Sequence, residues 1–208
     1  MSPIFLSGFI RKCLSNVGIR LDGRRPADFL PATINISRSE SKSTAEVVLG
    51  STRVITVVSG TICAPYPDRP TEGILQLSVD ISVGANNSGV SHAEITRYLE
   101  RSIRDNDTLD TESLCIKSGD KVWMISCEVK LVDYHGGAID ACTLSCIAAL
   151  KAFRRPEVSW TEDGLQIHHS DSREPLPLAL NHSPLAVSLG LFRLERADTP
   201  KHTQVILL

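Results

Sequence analysis

Three arginines near the middle of the chain have a spacing that favours contact with a nucleic-acid backbone. Arg97, Arg101 and Arg104 fall at positions i, i+4 and i+7 of a predicted helix. This spacing places them within about 60° of one another around the helix axis. Guanidinium groups bind phosphate oxygens in a bidentate manner, so such a row can hold successive phosphates of a single strand. The sequence therefore predicts a phosphate-binding row on one helix face.

The same spacing is also typical of a solvated helix face. Glu94 precedes Arg97 by three residues, and Glu100 precedes Arg104 by four. Each of these arginines can therefore form an ion pair within its own helix instead of binding phosphate. The residues alone leave both interpretations open.

Other catalytic and metal-binding chemistries find little support in the sequence. A zinc site needs three or four closely spaced ligands, and the histidines His135, His168, His169 and His182 do not supply them. There is no G-x-S-x-G nucleophile elbow, no Walker A loop and no G-x-G-x-x-G fingerprint. We therefore expect no catalytic residue, no metal and no cofactor from the motifs.

The six cysteines have the spacing of neither a metal site nor a disulfide framework. None of them forms a C-x-x-C pair. Cys142 and Cys146 stack on one face of a predicted apolar helix, where free thiols usually pack as small hydrophobic groups. These cysteines predict a reducing compartment.

Length and charge suit a single globular domain without a general affinity for nucleic acid. The chain has 208 residues, of which 42% are hydrophobic and 22% are charged, close to the average globular composition. Its 22 basic and 24 acidic side chains give a net charge of −2, so any RNA contact must be a local patch. No run reaches the ~18 apolar residues of a membrane span. Residues 1–14 lack the pattern of a secretory signal, and we expect no membrane partner.

Apolar periodicity predicts several β-strands. A hairpin is predicted over 46–60, where β-branched runs flank a Gly-Ser pair. The segments 74–83 and 121–132 alternate apolar and polar residues, which predicts strands with one buried face. Further strands are predicted at 164–168 and 185–192.

Two helices are predicted among these strands. The first covers 93–104, with Ile95, Leu99 and Ile103 forming a narrow apolar stripe. The second covers 139–153 and is apolar or small nearly all round, so it is expected inside the molecule. The resulting order, β-β-β-α-β-α-β, lacks regular βαβ alternation. It predicts the α+β class with a mixed or antiparallel sheet.

Several longer stretches of the sequence resemble one known family. They are GIRLDGRRPADFLP (18–31), GSTRVITVVSG (50–60) and ITRYLERSIRDNDTLDTESLCIKSGDKVWMISCEVKLVDYHGGAIDACTLSCIAALKAF (95–153). In this order they resemble the ribonuclease PH family, over about residues 18 to 192. Four further stretches are most similar to the eukaryotic branch that forms the ring of the RNA exosome: PYPDRPTEGILQLSVDIS, DTESLCI, FRRPEVSW and NHSPLAVSLGLF.

The resemblance implies a ribonuclease PH-like fold of the α+β class, also called ribosomal protein S5 domain 2-like, with helices on a mixed sheet. It divides the chain into an N-terminal entry segment (1–17), a ribonuclease PH-like domain (18–192) and a divergent or truncated C-terminal tail (193–208). Family members continue past the last matching strand with another strand and two helices, and residues 193–208 do not match that pattern. We therefore expect a domain that is shortened at its C-terminus.

The resemblance also implies a biological setting. Ring subunits of this family form a hexamer with other ribonuclease PH-like subunits, carry S1/KH cap subunits and pass single-stranded RNA to a separate exosome nuclease. The expected function is a scaffold for 3′-5′ processing and decay of rRNA and mRNA, in the nucleus, nucleolus and cytoplasm. In non-catalytic ring subunits the matching helix lines the RNA path, which favours Arg97, Arg101 and Arg104 as RNA-binding residues.

The sequence departs from active members of the family just before the final strand. Phosphorolytic relatives carry an acidic residue there, whereas this chain has Asn181-His182-Ser183 and no carboxylate between Glu174 and Glu195. Neither an amide nor a neutral imidazole reproduces the charge of a carboxylate beside a leaving group. The resemblance therefore implies a subunit without catalytic residues. The alternatives are phosphorolysis with a partner that carries the acid, and a pure scaffold without RNA contact.

Overall fold

The computed structural model describes residues 8–10, 12–14, 17–20, 22–82, 91–161, 164–168, 172–194 and 202–207. The chain divides into two compact units. The smaller unit combines Met1–Pro31 with Val187–Leu208, and the larger unit is Ala32–Ala186.

A six-stranded mixed sheet forms the framework of the larger unit. Its strands are β1 (Ala32–Arg38), β2 (Lys42–Leu49), β3 (Thr52–Cys63), β4 (Ile74–Ile81), β5 (Cys115–Lys117) and β6 (Lys121–Asp133). They lie in the order β1-β2-β3-β6-β4, and β5 pairs with β6. The β1–β2, β2–β3, β3–β6 and β5–β6 pairs are antiparallel, whereas β4 runs parallel to β6. The predicted mixed sheet is therefore confirmed.

Alternating side chains give the central strands a buried face, as their sequences predict. Every second residue of β6 is buried, namely Trp123, Ile125, Cys127, Val129 and Leu131. The hairpin predicted over 46–60 is the β2–β3 pair. Its turn contains Gly50 with a φ of 60°, a left-handed conformation that glycine adopts without strain from a Cβ atom.

The longest helix, α2 (Ala138–Ala152), packs across β2 and β3 and confirms the helix predicted over 139–153. A shorter helix, α1 (His92–Leu99), precedes it in the chain. Buried hydroxyls join α2 to the sheet. The Oγ of Ser43 donates to the carbonyl of Ala149 at 2.7 Å, and the Oγ of Ser145 donates to the carbonyl of Ala45 at 3.0 Å. These bonds satisfy polar groups that would be costly to bury unpaired.

The cysteines of α2 pack as predicted for small hydrophobic groups. Cys142 and Cys146 are fully buried in the core. The Sγ of Cys146 lies 3.0 Å from the Sγ of Cys127 on β6. Burial, together with the neighbouring Cys146, raises the pKa of the Cys142 thiol to about 12, so this thiol stays protonated at neutral pH.

The remaining strands form small pairs. β7 (Arg154–Arg155) pairs with β10 (Leu176–Pro177), and β8 (Val158–Thr161) pairs with β9 (Gly164–Ile167), which is the strand predicted over 164–168. In the smaller unit, β11 (Leu189–Leu194) pairs with β12 (His202–Leu207).

The strand predicted over 185–192 is placed too early. Only residues from Leu189 onward have partners, because the six residues of β12 pair with Leu189 to Leu194. Apolar alternation alone cannot show where the partner strand ends.

Both predicted end segments lie partly outside the described residues. In the entry segment predicted over 1–17, residues 8–10 and 12–14 are helical and residues 1–7, 11, 15 and 16 lie outside the description. In the tail predicted over 193–208, residues 202–207 form β12. The division at residues 17 and 193 stays a prediction. Among the residues that the structure describes, no helix is long and apolar enough to span a bilayer.

Candidate nucleic-acid interface

Helix α1 and the helical turn that follows it carry the three predicted arginines and are anchored to the core. It packs against β4 and α2, and the predicted apolar stripe, Ile95, Leu99 and Ile103, is fully buried. At the start of the helix, His92 Nε2 donates to the carbonyl oxygen of Val79 at 2.6 Å. The buried stripe directs the opposite face of this segment toward solvent.

The second half of the segment is a π-helical turn, Glu100–Arg104. The amide of Asp105 donates to the carbonyl of Glu100 at 3.0 Å, and the amide of Thr108 donates to the carbonyl of Ile103 at 3.1 Å. Both bonds span five residues, where an α-helix would span four. The prediction of one regular α-helix over 93–104 is therefore wrong after Leu99. The wider turn changes the direction of Arg104 relative to the α-helical wheel.

Arg97 and Arg101 line a common cavity of about 480 Å³ together with Ala93, Glu94 and Tyr98. Both arginines are exposed. Neither forms an ion pair or a side-chain hydrogen bond with another described residue. The Glu94–Arg97 ion pair, which the solvated-face interpretation allowed, is therefore not formed. Two guanidinium groups are available here for an anionic ligand.

Arg104 has a different environment. Its Nη1 lies 3.3 Å from Oε1 of Glu100, and its Nε lies 3.5 Å from Oδ1 of Asp105. It does not line the cavity that Arg97 and Arg101 share. The structure therefore brings two of the three predicted RNA-binding residues together and leaves Arg104 in local ion pairs.

The segment Asn181-His182-Ser183, where the resemblance led us to look for an acid, is hydrogen-bonded to the exit of the π turn. The amide nitrogen of Asn181 donates to the carbonyl of Thr108 at 2.9 Å. The Nε2 of His182 lies 3.1 Å from Oγ1 of Thr108. Thr108 is fully buried. A short β-bridge between Leu109 and Leu180 continues this contact.

The histidines do not assemble into a metal site in the described part of the chain. No group of three or more His, Cys, Asp or Glu side chains that could hold a metal ion occurs there. The Nε2 of His168 lies 2.7 Å from the Ser159 hydroxyl, and Nδ1 of His135 lies 3.2 Å from the carbonyl oxygen of Ser51. His169 lies outside the described residues.

Two further residues of the cavity did not stand out from the sequence as binding residues. Tyr98 exposes 48% of its surface beside the arginines, and Glu94 places a carboxylate on the same cavity. The sequence does show a tyrosine between two arginines of one predicted helix. Such a residue indicates a binding site only if its ring is exposed, and the sequence does not show whether it is.

Comparison with known proteins agrees with this architecture. Residues 29–156 match the family model described as the 3′ exoribonuclease family, domain 1, of ribonuclease PH. The exosome complex component RRP45A of Arabidopsis thaliana is 35% identical over 195 residues, which cover 89% of this chain and 62% of that protein. Its Schizosaccharomyces pombe counterpart, rrp45, is 36% identical over 84% of this chain and 62% of its own length.

Human RRP45 is 36% identical over 84% of this chain and 40% of its own length. The chain thus spans between about two fifths and three fifths of these relatives. The branch predicted from the sequence, also known as the polymyositis/scleroderma autoantigen 1 branch, is the one to which these relatives belong.

Solved structures lead to the same family. A structure of the Archaeoglobus fulgidus exosome with RNA bound to the active site superposes with a TM-score of 0.69 and 26% identity, over 97% of this chain and 77% of that chain. An archaeal exosome core gives a TM-score of 0.65 and 26% identity, over 99% of this chain and 76% of that chain. The α+β fold with its helix on a mixed sheet is ribonuclease PH-like, as its match to these exosome structures shows. This chain belongs to the ribonuclease PH family of 3′ exoribonucleases.

Proposed function

We propose that this chain is a ring subunit of an RNA exosome, that it contacts single-stranded RNA through Arg97 and Arg101, and that it does not cleave the RNA itself. Its family, the names of its relatives and its similarity to archaeal exosome subunits support the ring role. The RNA contact depends on the geometry of α1.

The observation that carries the RNA contact is the pair of unpaired guanidinium groups on one cavity. Arg97 and Arg101 are four residues apart in the chain, and the structure places both on the same cavity. The buried residues Ile95 and Leu99 hold the helix in place. Because the protein has a net charge of −2, binding is confined to this patch and does not spread over a basic surface.

The side chains that precede the last strands of the chain support the absence of cleavage. Asn181 and His182 stand where active relatives carry an acid, and both contact backbone or side-chain groups of residues 107 and 108. Neither the amide of Asn181 nor a neutral imidazole of His182 reproduces the charge of a carboxylate beside a leaving group. The reaction therefore belongs to another subunit or to a separate nuclease.

The proposal carries the expected partners and locations with it. The partners are other ribonuclease PH-like ring subunits, S1/KH cap subunits, a separate exosome nuclease and single-stranded RNA. The setting is the processing and decay of rRNA and mRNA in the nucleus, nucleolus and cytoplasm. These follow from family resemblance, and co-purification of the tagged chain with its partners tests them.

RNA binding is tested by removing the two arginines. The double variant Arg97→Ala/Arg101→Ala is expected to bind a labelled single-stranded oligouridylate more weakly and to lose about 0.7 from the salt slope for each lost phosphate contact. The matched control is Arg69→Ala/Arg173→Ala. It removes the same charge from two exposed arginines that form surface ion pairs outside the cavity. Equal binding by the two double variants would favour a pure scaffold.

Cleavage is tested on the chain assembled with a catalytic-type ring partner. 3′-end-labelled RNA is incubated with and without inorganic phosphate, and nucleoside diphosphates are measured. We expect any phosphate-dependent release to persist when Asn181 and His182 are both changed to alanine in this chain, because the reacting acid lies elsewhere. Loss of release in that variant, with the assembly intact, would place catalytic residues in this chain.

A further inference from the structure

Among the described residues that line the cavity of Arg97 and Arg101, Tyr98 is the one with an aromatic side chain. It exposes 48% of its surface, although aromatic side chains usually bury a large apolar area. Its hydroxyl forms no hydrogen bond with any other residue in the described part of the chain. The fold therefore leaves a ring open to solvent on the same cavity as two unpaired cations.

Helical spacing brings this ring next to a guanidinium group. Tyr98 precedes Arg101 by three residues and follows Arg97 directly, and residues three apart on a helix are neighbours on its surface. The shared cavity of about 480 Å³ falls in the range that holds small organic ligands. It is large enough for a planar base beside the ring.

The charge of the cavity is too small to make it a general polyanion site. Glu94 contributes a carboxylate against the two guanidinium groups, which leaves a net charge of about +1 on the groups that line it. Phosphate contacts alone would then give weak binding, and a second attraction is needed to retain a strand. An exposed aromatic ring supplies it, because base stacking on aromatic side chains contributes strongly and tolerates any base.

We propose that Tyr98 stacks on a nucleobase of the RNA strand whose phosphates contact Arg97 and Arg101. The inference rests on the proposed RNA path and makes it more specific, since it assigns the site to a strand with unstacked bases. A duplex, whose bases are stacked on each other, cannot use the ring. Tyr98 is a positioning residue and takes no part in cleavage.

The test compares Tyr98→Leu and Tyr98→Phe in the full chain by fluorescence anisotropy. The probes are labelled oligoadenylate, oligouridylate and an abasic ribose-phosphate oligomer of the same length. Tyr98→Leu is expected to bind oligoadenylate about 5-fold or more weakly, the lower limit of the effect of one stacked base. Tyr98→Phe keeps the ring and is expected to bind as the parent chain does. The abasic oligomer is expected to bind both variants and the parent equally, with an unchanged salt slope.

Tyr98 is half exposed, so both variants are expected to keep the fold, and their thermal unfolding is measured alongside. If Tyr98→Leu binds oligoadenylate like the parent while Arg97→Ala/Arg101→Ala binds it weakly, stacking is wrong and the RNA path is retained. If the arginine variant also binds normally, the RNA path itself is wrong. If Tyr98→Phe is as weak as Tyr98→Leu, the hydroxyl is responsible and stacking is again overturned.

Discussion

The side-chain amide of Asn181 donates a hydrogen bond to the backbone carbonyl of Asp107 at 2.9 Å, across 74 residues of sequence. Asp107 adopts a φ of 50°, a left-handed conformation that is uncommon for residues other than glycine. The contact therefore holds a strained turn at the exit of the π-helical segment. Asn181 thus has a structural role beside the segment that carries the arginines.

Asn181→Asp is expected to destabilise the chain more than Asn181→Ala. Alanine loses one hydrogen bond, which costs about 0.5–1.5 kcal/mol. Aspartate loses the same bond and also places carboxylate oxygens against the carbonyl oxygen of Asp107, where both groups accept hydrogen bonds. Urea denaturation of the two variants measures the difference.

Ser183→Ala is the control for this pair. Ser183 is exposed two residues along the same segment and makes no side-chain hydrogen bond within the described residues. Its unfolding free energy is expected to match the parent within about 0.5 kcal/mol. An Asn181→Ala variant as stable as the parent would show that the amide bond to Asp107 does not hold the turn. An Asn181→Asp variant as stable as Asn181→Ala would show that the carboxylate is not repelled by the carbonyl of Asp107.

Arg104→Ala is expected to change RNA binding less than Arg101→Ala. Arg104 already lies within 3.5 Å of two carboxylates, Glu100 and Asp105, so a phosphate must compete with both. Its loss is expected to lower the salt slope by well under the ~0.7 of a full phosphate contact. Glu100→Gln removes one competitor and is expected to steepen the slope. If Arg104→Ala and Arg101→Ala flatten the slope equally, the three arginines act as one row.

Strong local patterns made much of the fold predictable. The alternation around Trp123 and Leu131 placed β6 and its buried face, and the apolar run containing Cys142 placed α2 in the interior. Both signals are local because whether a side chain of these elements is buried follows from its position in the apolar pattern of its own element. The strand predicted at 185–192 shows the limit, since its start depends on the partner strand β12.

The sequence predicted which arginines belong to the site but only part of their arrangement in space. The stripe of Ile95, Leu99 and Ile103 is compatible with both an α-helix and a segment ending in a π turn. The choice between them involves residues 107–110, which are held by bonds to residues 179–181 far along the chain. The ion pair between Arg104 and Glu100 follows the four-residue spacing visible in the sequence. The π turn that redirects Arg104 does not follow from any spacing rule within the helix.

Ile103→Ala is expected to destabilise the chain by about 2–5 kcal/mol, because it removes buried methyl groups and leaves a cavity under the π turn. Ile103 is fully buried. Ile103→Val removes one methylene and is expected to cost about 0.5–1.5 kcal/mol. Ile36→Ala, at a position on β1 that is 55% exposed, is the control and is expected to cost clearly less than Ile103→Ala. Similar costs for the two alanine variants would mean that Ile103 does not anchor the turn.

Alkaline pH is expected to destabilise the chain through Cys142. Burial, reinforced by Cys146, raises the pKa of this thiol from 9.0 to about 12. Below pH 9 the thiol is protonated in both the folded and the unfolded chain, so the full stability is present. Above pH 9 only the unfolded chain releases the proton, and the unfolding free energy falls by about 1.4 kcal/mol per pH unit for this group.

Replacing Cys142 with a side chain that does not ionise removes this contribution. Cys142→Ala and Cys142→Ser differ in how well they fill the core, so their absolute stabilities are expected to differ. Both are nevertheless expected to show a slope of unfolding free energy against pH, between pH 9 and 11, that is shallower than the parent's by about 1.4 kcal/mol per unit. Lysines and other groups contribute equally to all three proteins and cancel in the comparison. A parent slope equal to that of both variants would show that the Cys142 thiol ionises as readily in the folded chain as in the unfolded one.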